Sequence, residues 1–168
     1  MNPRVYQLAS PWGSWRAAFT DAGLRGLKLP ARRSTRGAGQ LPLLASQEGP
    51  LGRRIHKALK ARLAGKEAEV PWEWLDLRGY SRFHLRVWKV LRAIPCGQVR
   101  TYKQVAAAAG APRAARAVGR ACAANPILLF IPCHRVVACS GLGGFGAGLA
   151  WKRRLLNLER RGLPGSLE

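Results

Sequence analysis

Asn125-Pro126-Ile127-Leu128-Leu129-Phe130-Ile131-Pro132-Cys133-His134-Arg135-Val136-Val137 is an apolar run that ends in a cysteine beside a histidine. Its length and its Asn-Pro and Pro-Cys borders predict a buried strand delivering Cys133 to its end. Cysteine attacks as the thiolate, so its ordinary pKa near ~8.5 must fall for it to react at neutral pH. A histidine partner such as His134 and a nearby cation such as Arg135 are the usual means. On these two residues alone a plainer alternative stands: a small core cysteine next to a hydrogen-bonded structural histidine.

Working outward, Ser81 is placed to cap a helix with apolar positions at Phe83, Val87, Trp88, Leu91 and Ile94, ended by Pro95 and Gly97. Thr101-Tyr102-Lys103-Gln104 reads as a capping box, Thr at N-cap and Gln at N3, opening a helix that closes at Gly110. Ala111-Pro112 is expected to start the next helix, running through Arg113, Arg116, Val118 and Cys122 to about Ala124. Two short helices around a Gly-containing turn suggest a helix-turn-helix; a plain αα-hairpin is the alternative, and Arg113, Arg116 and Arg120 favour the nucleic-acid reading. Ser140 to Gly148 is a glycine-rich loop; a phosphate cradle is one reading, but with no Gly-Lys-Ser/Thr ending a loop admitting a base closely fits better than a nucleotide P-loop. A last helix is expected from about Leu149 to Arg161, with Leu149, Leu155, Leu156 and Leu158 inward and Glu159 on it.

The N-terminal part reads differently. Val5–Ala9, Trp15–Phe19 and Leu24–Leu29, separated by turn signals, predict a small antiparallel meander. Residues 30–48 read as an exposed loop, Leu51 to Leu63 as a helix, and Val70 to Leu77 as a linker or short edge strand. The expected fold class is α+β. A small β-sheet-plus-helix domain over 1–78 precedes a mostly helical domain over 79–168 that carries the helix-turn-helix.

Composition narrows the function. Lys plus Arg number 29 against 8 Asp plus Glu, a formal charge of +21. A bias this large fits a polyanion held by counterion release, most simply nucleic acid. A membrane surface is the weaker fit, because no basic amphipathic helix stands out. No apolar stretch is long enough to cross a bilayer and no signal peptide is evident, so a cytoplasmic protein is expected. Cys96, Cys122, Cys133 and Cys139 form no Cys-x-x-Cys pair, so neither a disulfide framework nor a zinc site is expected.

From Ser81 to Gly162 the sequence resembles the catalytic domain of the O6-alkylguanine-DNA alkyltransferases. The resemblance rests on an ordered series: Phe83 with Val87-Trp88, Ile94-Pro95-Cys96-Gly97, Thr101-Tyr102, Ala114 to Gly119, Asn125-Pro126, Pro132 to Val136, and Lys152 to Glu159. It implies that Cys133 takes the alkyl group permanently, a soft nucleophile suited to displacing guanine. It implies that His134 receives the thiol proton through a bridging water and that Glu159 orients His134. Tyr102 then corresponds to the proton donor for the guanine ring, Arg116 to the residue filling the gap of a flipped base, and Asn125 to a tie between helix-turn-helix and active-site turn. Lys103, Arg113, Arg135, Val136, Cys139, Phe145 and Gly146 are the other expected DNA or substrate contacts. The implied partner is duplex DNA containing O6-alkylguanine, and the implied lesion range extends to O4-alkylthymine. No cofactor or metal is implied, and a monomer is expected.

The chain departs from the pattern at Phe145, where relatives often have Tyr, and at Gly146, where some have Ser. Its loop is one residue shorter than in some relatives, and the cysteines of an N-terminal zinc site are absent. Two competing classes remain in view. A non-catalytic binder of alkylated DNA would replace the cysteine, and a helix-turn-helix regulator with a redox cysteine would read unmodified sequence.

Overall fold

The computed structural model describes residues 3–30 and 49–161; most of the loop expected over 30–48 lies outside them. The chain divides into two units: Met1–Leu77 with Pro126–Leu128, and Arg78–Asn125 with Leu129–Glu168. The transfer of Pro126–Leu128 to the first unit is a feature that the 1–78 and 79–168 boundaries do not contain.

In the first unit, β1 (Arg4–Leu8), β2 (Trp15–Thr20) and β3 (Gly23–Lys28) form an antiparallel sheet in sequential order. Trp15, Ala17 and Phe19 alternate inward along β2, the period of a half-buried strand. Helix α1 (Pro50–Leu63) buries Ile55, Leu59 and Leu63 at helical spacing. Residues 70–77 are neither linker nor a full strand. Trp72–Trp74 is a single 3-10 turn, and Leu75 makes one parallel bridge to Leu24. Gly23 is required there: it has φ +133, and a Cβ on it would sit 2.3 Å from the Trp74 carbonyl oxygen. The buried Asp76 accepts from Thr20 Oγ1 at 2.6 Å.

In the second unit, Ser81 caps α2 (Arg82–Arg92) by accepting from the His84 amide. Thr101 and Gln104 form the full capping box of α3 (Tyr102–Ala108). Helix α4 (Ala115–Ala123) starts later than expected. Pro112 and Arg113 lie in a turn, where the Ala114 amide donates to Ala111, so Pro112 ends the connection rather than opening the helix. Trp88 Nε1 donates to the Ala121 carbonyl at 2.9 Å and ties α2 to α4. Two-residue strands β4 (Arg100–Thr101) and β5 (Val136–Val137) pair in parallel, setting the start of α3 beside the segment after Cys133. Helix α5 (Leu149–Arg161) has the expected bounds but a different inner face. Lys152, Leu155, Leu156 and Glu159 are buried, whereas Leu149 is 41% exposed and Leu158 is half-buried.

The decisive stretch is not a strand. Ile127 makes one bridge to Leu27, with Leu27 N to Pro126 O at 2.8 Å and Leu128 N to Leu27 O at 3.0 Å. The chain then turns through Leu129, whose φ is +75. A left-handed leucine costs about 1–3 kcal/mol. Burial of Leu129, Phe130 and Ile131 offsets that cost. The run is apolar because it is buried all round, and apolarity without alternation does not distinguish a strand from a buried turn. Among the described residues, no helix is long and apolar enough to cross a membrane.

Candidate active site

Cys133, His134 and Arg135 form a single 3-10 turn that follows Pro132. The turn puts three consecutive side chains in three directions, all buried. Cys133 is 5% exposed, and its Sγ accepts from Asn125 Nδ2 at 3.2 Å. The same Asn125 amide donates to the Ile131 carbonyl at 2.7 Å, so one side chain ties the end of α4 to the turn carrying the thiol. Burial pushes the Cys133 thiol up; the Asn125 hydrogen bond and the charge of Lys152 oppose it without overcoming it.

His134 meets Glu159 through Nε2 at 2.8 Å. Arg135 grips the same carboxylate with two nitrogens, Nε to Oε2 at 2.9 Å and Nη2 to Oε1 at 2.7 Å, and also donates to the Ile94 carbonyl. The Gly97 amide adds a donor at 3.3 Å. Burial pushes Glu159 up, but the hydrogen bonds and charges of His134 and Arg135 win, holding it at about 2. Glu159 therefore stays ionised and fixes the imidazole. A proton reaching His134 then goes onto Nδ1, since Nε2 is committed to the carboxylate.

Arg135 thus differs from expectation twice. It is 3% exposed and points at Glu159, so it is neither a DNA contact nor the cation that tunes the thiol. That cation is Lys152, which the sequence offered only as the start of the Lys152–Glu159 match, with no role of its own. Lys152 is fully buried, and its Nζ donates to the carbonyls of Val136, Leu142 and Gly144. Burial lowers its pKa, and the nearby Cys133 and Cys122 sulfurs oppose that shift. The signal was present: Lys152 sits three and four residues before Leu155 and Leu156, on the apolar stripe of α5, where a lysine is out of place unless held.

Tyr102 begins α3, and its hydroxyl donates to the Gly144 carbonyl at 3.4 Å. Burial raises its pKa, followed by the neighbouring Cys122 and Cys133, so it remains a proton-carrying group. Gly143 packs on its ring: at φ +66, a Cβ there would come 2.9 Å from Tyr102 Cε2. Tyr102, Gly119, Cys122, Cys133, Phe145 and Gly146 line a pocket of about 130 Å³. Cys122 on α4 is the second residue that sequence reasoning did not place there.

The structure therefore brings together Cys133, His134, Asn125, Glu159, Tyr102, Phe145 and Gly146. Lys103, Arg113 and Arg116 are exposed along α3, the connecting turn and α4, and none of them lines the thiol pocket. Val136 is a buried β5 residue whose carbonyl takes Lys152. Cys139 is exposed beside the Ala138–Gly141 bridge and does not line the pocket.

A buried thiol opening on a small pocket, an ionised carboxylate holding the adjacent histidine, and a helix pair with exposed arginines make this an α+β protein with a candidate cysteine centre beside a basic helix pair. Residues 82–161 match the family model of the 6-O-methylguanine DNA methyltransferase DNA-binding domain. The chain is 53% identical over 110 residues, 65% of its length, to a methylated-DNA–protein-cysteine methyltransferase of Mycolicibacterium paratuberculosis, and spans 66% of that relative. It is 50% identical over 86 residues to the bifunctional transcriptional activator/DNA repair enzyme Ada of Escherichia coli, covering 24% of it. Among solved structures it is similar to Mycobacterium tuberculosis OGT in complex with DNA, with 38% identity, TM-score 0.76, and coverage of 96% of this chain and 95% of that one. The chain belongs to the 6-O-methylguanine DNA methyltransferase family, the methylated-DNA–protein-cysteine methyltransferases.

Proposed function

We propose that this protein repairs duplex DNA by transferring the alkyl group of O6-alkylguanine to its own Cys133, once per molecule. The observation that carries this reading is the shared pocket: the one buried thiol beside a Glu-fixed histidine opens on the space that Tyr102 and the glycine-rich loop enclose. Exposed Arg113 and Arg116 meet the DNA as part of a helix-turn-helix, and small residues on α4 let it approach the groove. The target base leaves the stack at a cost of a few kcal/mol, because O6 is hidden in the duplex. Arg116 fills the gap it leaves.

His134 takes the Cys133 proton through a bridging water, and the ionised Glu159 stabilises the imidazolium. The sulfur attacks the alkyl carbon; the carbon–oxygen bond breaks as the carbon–sulfur bond forms. Charge developing on guanine is met by the proton of Tyr102. With Phe145 and Gly146 in the loop, hydrogen bonds to O6 come from backbone N–H groups. The product thioether has no hydrolytic exit, so Cys133 is consumed. The site of action is then chromosomal DNA in the cytoplasm.

Incubation with an O6-methylguanine duplex followed by peptide mass spectrometry is expected to find the methyl on Cys133, in an amount equal to the lesion removed. Lesion removal with an unmodified Cys133, or no removal, overturns the reading.

A further inference from the structure

The pocket holds a second thiol that the proposed transfer does not use. Cys122 lies on the last full turn of α4 and lines the same space as Cys133, with Tyr102 and Phe145 also on the walls. The two sulfurs are close enough to act on each other's charge, and both feel the Lys152 ammonium. An alkyl group accepted by Cys133 extends into this pocket, because Cys133 lines it and is only 5% exposed. In a pocket of about 130 Å³, the far end of any chain longer than a methyl is brought against the walls, and one wall is a nucleophile.

We infer that Cys122 is a second acceptor that captures the distal end of bifunctional alkyl groups, closing a dithioether bridge to Cys133. This rests on the alkyl-transfer reading of Cys133. The substrate class is an O6-alkylguanine whose alkyl chain carries a leaving group, such as a halide, at its other end. In the first step the Cys133 sulfur bonds the carbon next to O6, and guanine departs. In the second, Cys122 gives its proton to water at the pocket mouth, and its sulfur bonds the terminal carbon as the carbon–halogen bond breaks and halide leaves. No oxidant or reductant is needed. A reactive end that would otherwise face the DNA, and crosslink protein to it, is consumed inside the protein.

Two opposing factors set the reactivity of Cys122. Burial, then the charge of Cys133, pushes Cys122 up to about 12, with Lys152 opposing. Its thiolate fraction at neutral pH is therefore about 10⁻⁵. Well-oriented intramolecular reactions reach effective molarities of about 10⁵–10⁸ M, which balances that fraction at the low end and exceeds it at the high end. Alkylation of Cys133 also removes the second cause of the upward shift, so Cys122 becomes easier to ionise once the electrophile is in place.

The test uses the full chain and two duplexes, one with O6-methylguanine and one with O6-(4-bromobutyl)guanine. Methyl on Cys133 from the first establishes the transfer reading independently. From the second, digestion and mass spectrometry are expected to give one bromine-free species joining the Cys122 and Cys133 peptides. After unfolding, Cys122 should be inaccessible to iodoacetamide. In Cys122→Ala, counted per molecule alkylated at Cys133, the open adduct and protein–DNA crosslinks should replace the bridge. A bromobutyl or hydroxybutyl group on Cys133 with Cys122 still titratable overturns the inference, as does a Cys133 that accepts methyl but refuses the longer chain.

Discussion

Replacing Glu159 by Gln tests the ion cluster that holds the site. Two independent magnitudes follow from the geometry. Glu159 is held at about 2 against an ordinary 4.5, which by linkage corresponds to about 3 kcal/mol of stability at neutral pH. Alternatively, removing one partner of a buried pair strands the other charge, here Arg135, at a cost of about 3–5 kcal/mol. The two routes agree. Because the folded pKa is depressed, the contribution is fully present above about 4.5 and is lost as pH falls toward 2. At pH 3 about 1.5 kcal/mol of it is left. Urea unfolding of wild type and Glu159→Gln at pH 7 and pH 3 should therefore show a gap of about 3 kcal/mol that shrinks by about half. Subtracting the variant cancels the other carboxylates, which titrate in both proteins. A gap under about 1 kcal/mol at pH 7, or one unchanged at pH 3, refutes the cluster as described.

Tyr102→Phe should leave stability within about 1 kcal/mol, since its hydroxyl makes one long bond to Gly144, yet slow methyl transfer by about 10²-fold or more, read in single-turnover kinetics. Lys152→Met should shift the pH dependence of Cys133 alkylation upward, because the ammonium is what lowers the thiol from its buried value after Asn125. Rapid-quench rates across pH would show it. Arg113→Ala and Arg116→Ala should each flatten the salt dependence of duplex binding, by about 0.9 in log–log slope for each phosphate no longer neutralised, measured by fluorescence anisotropy. Full methylation of Cys133 puts a methyl into a pocket of about 130 Å³ that has room for it, so at neutral pH calorimetry should find Tm lowered by no more than about two degrees; a larger fall would mean that the site is overpacked.

What the sequence made legible is what is determined locally. The Ser81 cap, the Thr101–Gln104 capping box and the bounds of α5 depend on residues three or four apart, and the structure has them where the spacing placed them. The meander follows from alternation cut by turns. The misread elements depend on distant partners. Leu129 turns left-handed because its surroundings bury it, and nothing in an apolar run announces that. Arg135 looks like a solvent-facing cation until Glu159, 24 residues later, folds against it. Lys152 replaced Leu149 on the inner face of α5 because three carbonyls from β5 and the glycine loop converge there. The late start of α4 reflects a turn closed by Ala111 and Ala114, which a proline-at-N1 rule does not weigh.

The thiol itself carries a consequence for the whole site. In the resting protein Cys133 is held back rather than activated, since burial outweighs both Asn125 and Lys152. Free electrophiles therefore meet a protonated sulfur, and reaction depends on a substrate whose leaving group is assisted in place. Lys152 feels the same balance from the other side. Its Nζ partners are carbonyl oxygens, none of them anionic, and the Cys133 sulfur, then that of Cys122, is what raises its pKa against burial. Ionising Cys133 gives that buried ammonium a counter-charge, so thiolate formation and the anchoring of Leu142 and Gly144 support each other. At neutral pH alkylation exchanges a neutral thiol for a neutral thioether, so it removes only the possibility of that counter-charge. Where alkaline pH ionises the unreacted thiol, the thiolate supports the ammonium, and alkylation takes that support away. Methylation should therefore lower Tm more at alkaline than at neutral pH in wild type, and Lys152→Met should remove that difference; an equal drop at both pH values in wild type refutes the coupling.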